Sequence, residues 1–298
     1  MTQTRGTFRY ANPAPHWYRG NTHIHSTVSD GGLNFVELAA LYRSAGYDFL
    51  CRTDHWKASH AQADTNHYPL LWLDGIELDG LDETGQMYHI VCLGLLHNLQ
   101  RGMGLEAAVR SAHEQGALCI MAHPHWCANT LGDAARLGLD GVEIYNHVCR
   151  WLNGKGDGAP YWTAAMETNP QSLGFAVDDC HLGPDHPGWN GGWVMVNAPE
   201  LTQESIMENI RSGNYYSTCG PEFHSITLDG NTLHLQTSGV QFIRLVGPAS
   251  HGYRVGNFKG ELLTEASFTI PADWEYVYVD IEDNQGRRAW TNHLFHAA

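Results

Sequence analysis

His23 and His25 stand two residues apart in the stretch Asn21-Thr22-His23-Ile24-His25. On an extended strand that spacing sends both imidazoles to one face, with Cα atoms roughly 7 Å apart, so both can reach a single metal ion. Alone the pair is a weak signal, because an isolated histidine is commonly just a hydrogen-bonded one. Further metal-type residues follow, each at the end of a strand-like segment: Asp30, His55, Glu77, His89, His123, Asp179 and His181. Such a set is too large for one ion. Imidazole mixed with carboxylate suits zinc, manganese or iron, and a set of this size suits two or three divalent ions that share a bridging ligand.

The segments between these residues alternate in character. Phe35, Leu38, Ala39 and Tyr42 fall at helical spacing, with Asn34 and Glu37 reading as a capping box at the start and Gly46 as the stop. A short apolar strand over 48–52 ends at Thr53-Asp54-His55, and residues 70–78 and 87–95 also read as strands. Leu105, Ala108, Val109 and Ala112 stripe a second helix that stops near Gly116. Strands over 118–122, 141–145 and 173–177 follow, the first ending at His123-Pro124 and the last at Asp178-Asp179-Cys180-His181. This α/β alternation predicts a parallel sheet, open or closed into a barrel, with functional groups collected at the C-terminal strand ends.

Near Gly220-Pro221 the pattern changes. A last helix, with Ile206 and Ile210 inside and Gly213 after it, gives way to short strands only. Asp229-Gly230 marks a hairpin. Val277, Val279 and Ile281 alternate with Tyr276, Tyr278 and Asp280, which predicts one buried face and one wet face. Two units are expected, residues 1–222 and residues 223–298. The second would be a small antiparallel β domain with too few residues for a deep core of its own.

Composition narrows the function. A chain of 298 residues with 43% hydrophobic content and ten tryptophans has the material for a real core. The net charge of −15, from 17 basic and 32 acidic side chains, opposes binding to a nucleic-acid polymer. Nineteen histidines outnumber the lysines and arginines together, which fits metal chemistry. The seven cysteines are scattered and form no C-x-x-C pair, as expected of free thiols in a reducing cytosol. The N-terminus leads into no apolar stretch and no run is long enough for a bilayer, so a cytoplasmic protein without membrane contact is expected. There is no phosphate-binding G-x-x-x-x-G-K-[ST] loop, dinucleotide fingerprint or serine nucleophile elbow.

Thr22-His23-Ile24-His25, Ser29-Asp30-Gly31, Thr53-Asp54-His55, Gly75-Ile76-Glu77, His89, Ala122-His123-Pro124 and Asp179-Cys180-His181 resemble, in order, the motifs of the PHP (polymerase and histidinol phosphatase) superfamily. Trp17-Tyr18-Arg19-Gly20-Asn21, Gly141-Val142-Glu143-Ile144-Tyr145-Asn146 and Tyr216-Ser217-Thr218-Cys219-Gly220-Pro221 further resemble its carbaryl-hydrolase-like branch. The resemblance implies a distorted (βα)7 barrel with two or three metal ions, followed by a C-terminal β domain. It also implies a first metal held by His23, His25 and Asp179, with Glu77 bridging to a second held by His89 and His123. Asp30, His55 and His181 would form a third site. Trp56 stands where relatives often have Asn, and Cys180 where Ala is common; neither change removes a ligand. Cys180 is expected to be a small apolar filler.

Three divalent ions would outweigh the charge of Asp30, Glu77 and Asp179, leaving a positive pocket for a phosphate within an acidic protein. A water between two ions ionises near neutral pH and can attack phosphorus in line, and the ions neutralise the oxygens that gain charge. Asp178 or His125 is the expected proton donor to the leaving group. Lys57, His125, Asn146 and Arg150, just past motif ends, are the expected substrate contacts, and Glu143 is expected to support the ligands. These readings predict a phosphoesterase acting on a small anionic metabolite, a nucleotide or sugar phosphate. The rival is a metal-dependent carboxylic-ester or carbamate hydrolase. A non-catalytic binding module is the third reading, against which stands the survival of all nine ligand-type residues.

Overall fold

The computed structural model describes residues 6–11 and 13–296. Its first part runs β1 (His16–Asn21), α1 (Phe35–Ser44), β2 (Phe49–Arg52), β3 (Leu71–Leu81), β4 (Met87–Leu93), α2 (Leu105–Glu114), β5 (Leu118–Met121), α3 (Asp133–Arg136), β6 (Gly141–Asn146), α4 (His147–Asn153), α5 (Ala159–Thr168) and β7 (Leu173–Val177). Then come β8 (Trp193–Ala198), α6 (Gln203–Arg211), β9 (Tyr215–Thr218), β10 (Phe223–Asp229), β11 (Thr232–Val240), β12 (Phe242–Val246), β13 (Gly252–Gly256), β14 (Leu263–Thr269), β15 (Tyr278–Glu282) and β16 (Arg288–Thr291). The helices sit where hydrophobic spacing predicts them. α1 buries Leu38, Ala39 and Tyr42, and Asn34 and Glu37 cap it reciprocally. α2 buries Leu105, Ala108, Val109 and Ala112.

One sheet carries the architecture, in the order β13-β12-β15-β16-β9-β8-β1-β2-β3-β4-β5-β6-β7. β1, β2 and β3 are parallel neighbours, as are β5, β6 and β7. Between them β4 runs antiparallel to both β3 and β5, which corrects the expectation of a parallel sheet. Residues 82–86 alone join β3 to β4, too short a link for a crossover, so only a hairpin is possible. The reversal brings the start of β4, where His89 lies, to the end of the sheet where β2 and β3 finish.

β7 and β1 share no ladder. Just beyond them Ile24 and Cys180 form a parallel bridge, with His25 N donating to Cys180 O and Asp179 N to His23 O, both at 2.9 Å. The continuations of the first and seventh strands therefore meet at the end of the sheet that bears the histidines. Ser217 of β9 pins β7 from the other side, accepting from Ala176 N at 2.9 Å and donating to Gly174 O at 2.8 Å.

The C-terminal strands β12, β13, β15 and β16 extend this same sheet through the β9–β16 pairing, while β10, β11 and β14 form a separate three-stranded antiparallel sheet. Gly230 turns the hairpin between β10 and β11 at φ 56°. One sequence expectation fails here, that of a wet face. Ile226, Leu233, Leu235, Val240, Ile243, Leu245, Phe268, Val279 and Ile281 belong to one buried cluster. This core is shared, because Tyr10 and Tyr216 of the first part belong to the same cluster and Trp17 and Met195 pack against it. Tyr276, Tyr278 and Asp280 are buried as well. The expected wet face is covered by α5, with the Tyr278 ring 4.8 Å from that of Trp162 and the Tyr276 hydroxyl donating to Glu167 at 2.8 Å. Asp280 pairs there with Arg244 and Arg288. No helix among the described residues is long and apolar enough to cross a membrane.

Candidate metal centre

Thr53 and Asp54 build the platform for the first histidines. Thr53 Oγ1 accepts from Ile24 N and donates to Ile24 O, each at 2.9 Å, so the residue between His23 and His25 is held on both backbone groups. Asp54 accepts from Ser26 N and Oγ at 2.8 Å and from Ser29 Oγ at 2.7 Å, which fixes the turn that carries Asp30. A Cβ on Gly31 would lie 2.3 Å from the carbonyl oxygen of His25, so only glycine lets this turn close against the strand end.

His23 Nε2 and His25 Nε2 then face each other at 3.1 Å. Glu77 Oε2 lies 3.3 and 3.2 Å from these two nitrogens, and Asp179 Oδ1 lies 3.3 and 3.1 Å from them. A tetrahedral ion with bonds of about 2.0–2.1 Å requires ligand–ligand edges of about 3.3–3.4 Å. Each carboxylate oxygen thus stands at about such an edge length from both nitrogens, a spacing that suits a shared ion. Glu77 Oε2 is buried without a hydrogen-bond partner, as a carboxylate oxygen reserved for a cation would be.

The remaining ligand-type residues adjoin this group. Glu77 Oε1 lies 2.8 Å from His89 Nδ1 and 3.5 Å from His123 Nε2, so the carboxylate spans two clusters of nitrogen atoms. His55 Nδ1 lies 3.1 Å from Glu77 Oε2. Asp30 faces His25 Nδ1, His55 Nε2 and His181 Nε2 at 3.6, 3.7 and 3.4 Å. His25 and His55 each present one ring nitrogen to Glu77 and the other to Asp30. All nine residues converge in one place, and buried Cys149 lies beside His123 and Asp179.

Charge within the cluster is self-consistent even without ions. Burial would push the Glu77 carboxyl up, but His23, His89 and His123 hold it well below the usual carboxylate range. Burial likewise opposes a charged His23, and Asp179, Glu77 and Glu143 outweigh it, raising its pKa well above the ordinary histidine value. A divalent cation would take over the neutralising role of these protons. His123 and Asp179 carry left-handed backbone at φ 26° and 56°. Such conformations persist where surrounding contacts impose them. Here the Glu143 carboxylate accepts from His123 N at 2.8 Å, and Asp179 N donates to His23 O.

Glu143 is the support the sequence suggests. Its Oε1 lies 2.6 Å from His23 Nδ1, which leaves Nε2 free toward the cluster, and Oε2 accepts from Asn146 Nδ2 at 2.9 Å. Carboxylates that orient ligating histidines typically matter about 10–100-fold for metal affinity or activity. A Glu143→Gln substitution is expected to weaken metal affinity by about that factor while keeping the ion count at saturating metal. Metal titration followed by tryptophan fluorescence checks this, and unchanged affinity would remove Glu143 from the account.

A cavity of about 220 Å³ opens above the cluster, lined by Asp30, His55, Glu77, His89, His123, Asp179 and His181 on one side. Several expected catalytic or substrate contacts lie elsewhere. Asp178 is fully buried and accepts from Tyr42 Oη and from the amides of Asn190, Gly191 and Gly192. It anchors the 190–192 loop and faces away from the cavity, so it cannot deliver a proton there. Asn146 is also buried, donating to Glu143 and Asp179 while its Oδ1 caps α4 by accepting from Cys149 N. It positions ligands instead of touching substrate. Arg150 is exposed and donates to Tyr145 Oη at 3.4 Å, away from the cavity. His125 is exposed and does not line the cavity. Lys57 lines an adjoining groove with Asp30, His55, Trp56 and Arg101 and keeps its place as a candidate contact.

Sequence reasoning passed over Asp79, Trp126 and His186. Asp79 Oδ1 lies 2.9 Å from His55 Nδ1, and the carboxylate is held by both terminal nitrogens of Arg101. Its spacing of two from Glu77 on one strand is the same signal that singles out His23 and His25. Trp126 and His186 line the cavity, and no spacing rule marks them.

No family model matches this chain, and no curated protein does. Among solved structures it is similar to a two-domain protein containing a predicted PHP-like metal-dependent phosphoesterase from Bacteroides vulgatus, at 14% identity and a TM-score of 0.50, with 99% of this chain and 100% of that one covered. A candidate metal-dependent phosphoesterase from Bifidobacterium adolescentis aligns over 67% of this chain and 96% of its own, at 13% identity and a TM-score of 0.45. An amidohydrolase from Chromobacterium violaceum covers 66% of this chain and 96% of its own, at 14% identity and a TM-score of 0.43. By its architecture over nearly the whole chain, this is a protein of the two-domain PHP-like fold.

Proposed function

We propose that the chain is a metal-dependent hydrolase, and that it acts as a phosphoesterase on a small phosphorylated metabolite of the nucleotide or sugar-phosphate class. The observation that carries this reading is the convergence of nine imidazole and carboxylate groups beside one cavity, with oxygens of Glu77 and Asp179 each 3.1–3.3 Å from Nε2 of both His23 and His25. In this reading the seven-strand part is a distorted (βα)7 barrel, the unit beyond residue 223 is its β companion, and the site takes two or three divalent ions. The donor set fits zinc, manganese or iron. His23, His25, Glu77 and Asp179 would hold one ion, Glu77 with His89 and His123 a second, and Asp30, His55 and His181 a third. The chemistry such ions supply is polarisation of the phosphoryl oxygen and ionisation of a water near neutral pH.

The chain's own residues do the rest. Glu143 keeps His23 Nδ1 occupied, so Nε2 stays directed inward. Thr53 and Asp54 keep the His25 and Asp30 segments in register. Lys57, at the rim of the adjoining groove, adds a positive charge on the approach of an anion.

The second reading, a carboxylic-ester or carbamate hydrolase, draws support from the apolar side chains Val148 and Leu152 among the residues that line the cavity. Side-by-side turnover of 4-nitrophenyl phosphate and 4-nitrophenyl acetate separates the two. Phosphate hydrolysis dependent on added metal is expected; turnover of the acetate alone would overturn the phosphoesterase reading.

A further inference from the structure

A second group of metal-type side chains lies toward the opposite ends of β4 and β5 from His89 and His123. Cys92 of β4 and Cys119 of β5 stand directly opposite each other in the antiparallel ladder, both completely buried, with Sγ atoms 3.6 Å apart. A disulfide holds its sulfurs about 2.0 Å apart, so both thiols are free. His113 stands in the last turn of α2, and Asp140 directly precedes β6. A ring nitrogen of His113, a carboxylate oxygen of Asp140 and Cys119 Sγ all lie within 4.8 Å of one another.

Asp140 is held in place by the strand that carries the thiol. Its Oδ2 accepts from Cys119 N at 2.8 Å, and its own N donates to Cys119 O at 2.8 Å. The same Oδ2 lies 3.0 Å from His113 Nε2. Zinc–thiolate bonds of about 2.3 Å set sulfur–sulfur edges of about 3.8 Å in a tetrahedron, close to the Cys92–Cys119 spacing. Two sulfurs, one imidazole and one carboxylate make four donors of the kind zinc takes. An ion also has a way in. The side chains of His113 and Asp140 are 33% and 36% exposed, whereas the two cysteines are sealed from water.

We infer that Cys92, His113, Cys119 and Asp140 form a closed structural site for one zinc ion, separate from the hydrolytic centre. On binding, each thiol gives its proton to solvent as its sulfur takes up the ion, and the His113–Asp140 contact gives way to two bonds to metal. The ion ties the end of α2 to β4, β5 and the start of β6. With four protein donors no position is left for substrate, so the site braces the strands that lead to His89 and His123 and takes no part in turnover.

The test titrates the full chain with Co²⁺ under a thiol-free reductant, because cobalt stands in for zinc and its bond to a thiolate gives a charge-transfer band in the near ultraviolet. Cys127 and Cys149 adjoin the hydrolytic centre, so a C127A, C149A double variant is the control. A thiolate band from one ion per chain is expected in the wild-type protein and in that control. C92A, C119A is expected to lose the band and one ion. H113Q leaves the buried thiols in place and is expected to keep the band while binding that ion at least about 10-fold more weakly, one decade in a dissociation constant. Wild-type protein without a thiolate band would overturn the site. So would a band that survives C92A, C119A, a band lost in C127A, C149A, or wild-type affinity in H113Q. The band is read without turnover, so its failure leaves the hydrolase reading standing, and a failure to hydrolyse esters leaves this site standing.

Discussion

The His23→Ala, His25→Ala double variant is expected to lose at least one bound ion per chain and more than about 10³-fold of turnover. Both Nε2 atoms sit within 3.3 Å of Glu77 and Asp179, so deleting them leaves the two carboxylates without the nitrogen donors they share. The variant also strips buried Asp179 of its two nearest histidine partners and Glu77 of two of its five, and losing a partner of a buried charge typically costs about 3–5 kcal/mol of stability. Its melting transition should therefore be recorded beside metal content. A single His25→Gln variant, which keeps a polar side chain in the space, separates lost metal binding from lost folding. Full turnover in a folded double variant would refute the mechanism.

Replacing Glu77 by glutamine has the second largest expected effect. Its two oxygens face different nitrogens: Oε2 lies 3.1 Å from His55 Nδ1 and 3.2 Å from His25 Nε2, and Oε1 lies 2.8 Å from His89 Nδ1. Glutamine keeps the shape but removes the charge and puts an N–H donor on one of the two positions, where it repels a cation. Loss of one ion and a fall in kcat of about 10²–10³-fold are expected, the range seen when a single electrostatic stabiliser is removed. Metal analysis with steady-state kinetics checks this. An unchanged ion count with kcat near wild type would show that Glu77 bridges nothing.

His23, His25, His55, His123, Asp179 and His181 are legible because their chemistry and their positions just past strand ends point the same way, whereas Glu77 lies within β3 and His89 near the start of β4. α1 and α2 were readable for a related reason, since the apolar stripe and the cap of α1 agree with its tertiary burial. Asp178 was misassigned because two adjacent aspartates end β7 and residue type does not say which faces inward. Asp179 turns to the cluster, while Asp178 meets Tyr42 and the 190–192 amides. Asn146 was misread because α4 starts directly at the end of β6, which makes its side chain a helix cap. The covered faces of Tyr276 and Tyr278 depend on α5, far away in the chain, and no local alternation encodes that partner. The cavity wall lay beyond reach for the same reason: Trp126, Leu152 and His186 come from three separate segments.

The most direct test of the account is the metal content of the purified, metal-reconstituted protein, read together with its thermal stability before and after chelation. A ligand held at about 1,000 times its Kd stabilises by about 4.1 kcal/mol, so removing ions from this centre must lower the melting temperature. Two or three divalent ions per chain are expected in this centre, with a clear drop in melting temperature on chelation and its recovery when metal is restored. Less than one ion per chain after reconstitution, with a melting temperature indifferent to chelator, would contradict it.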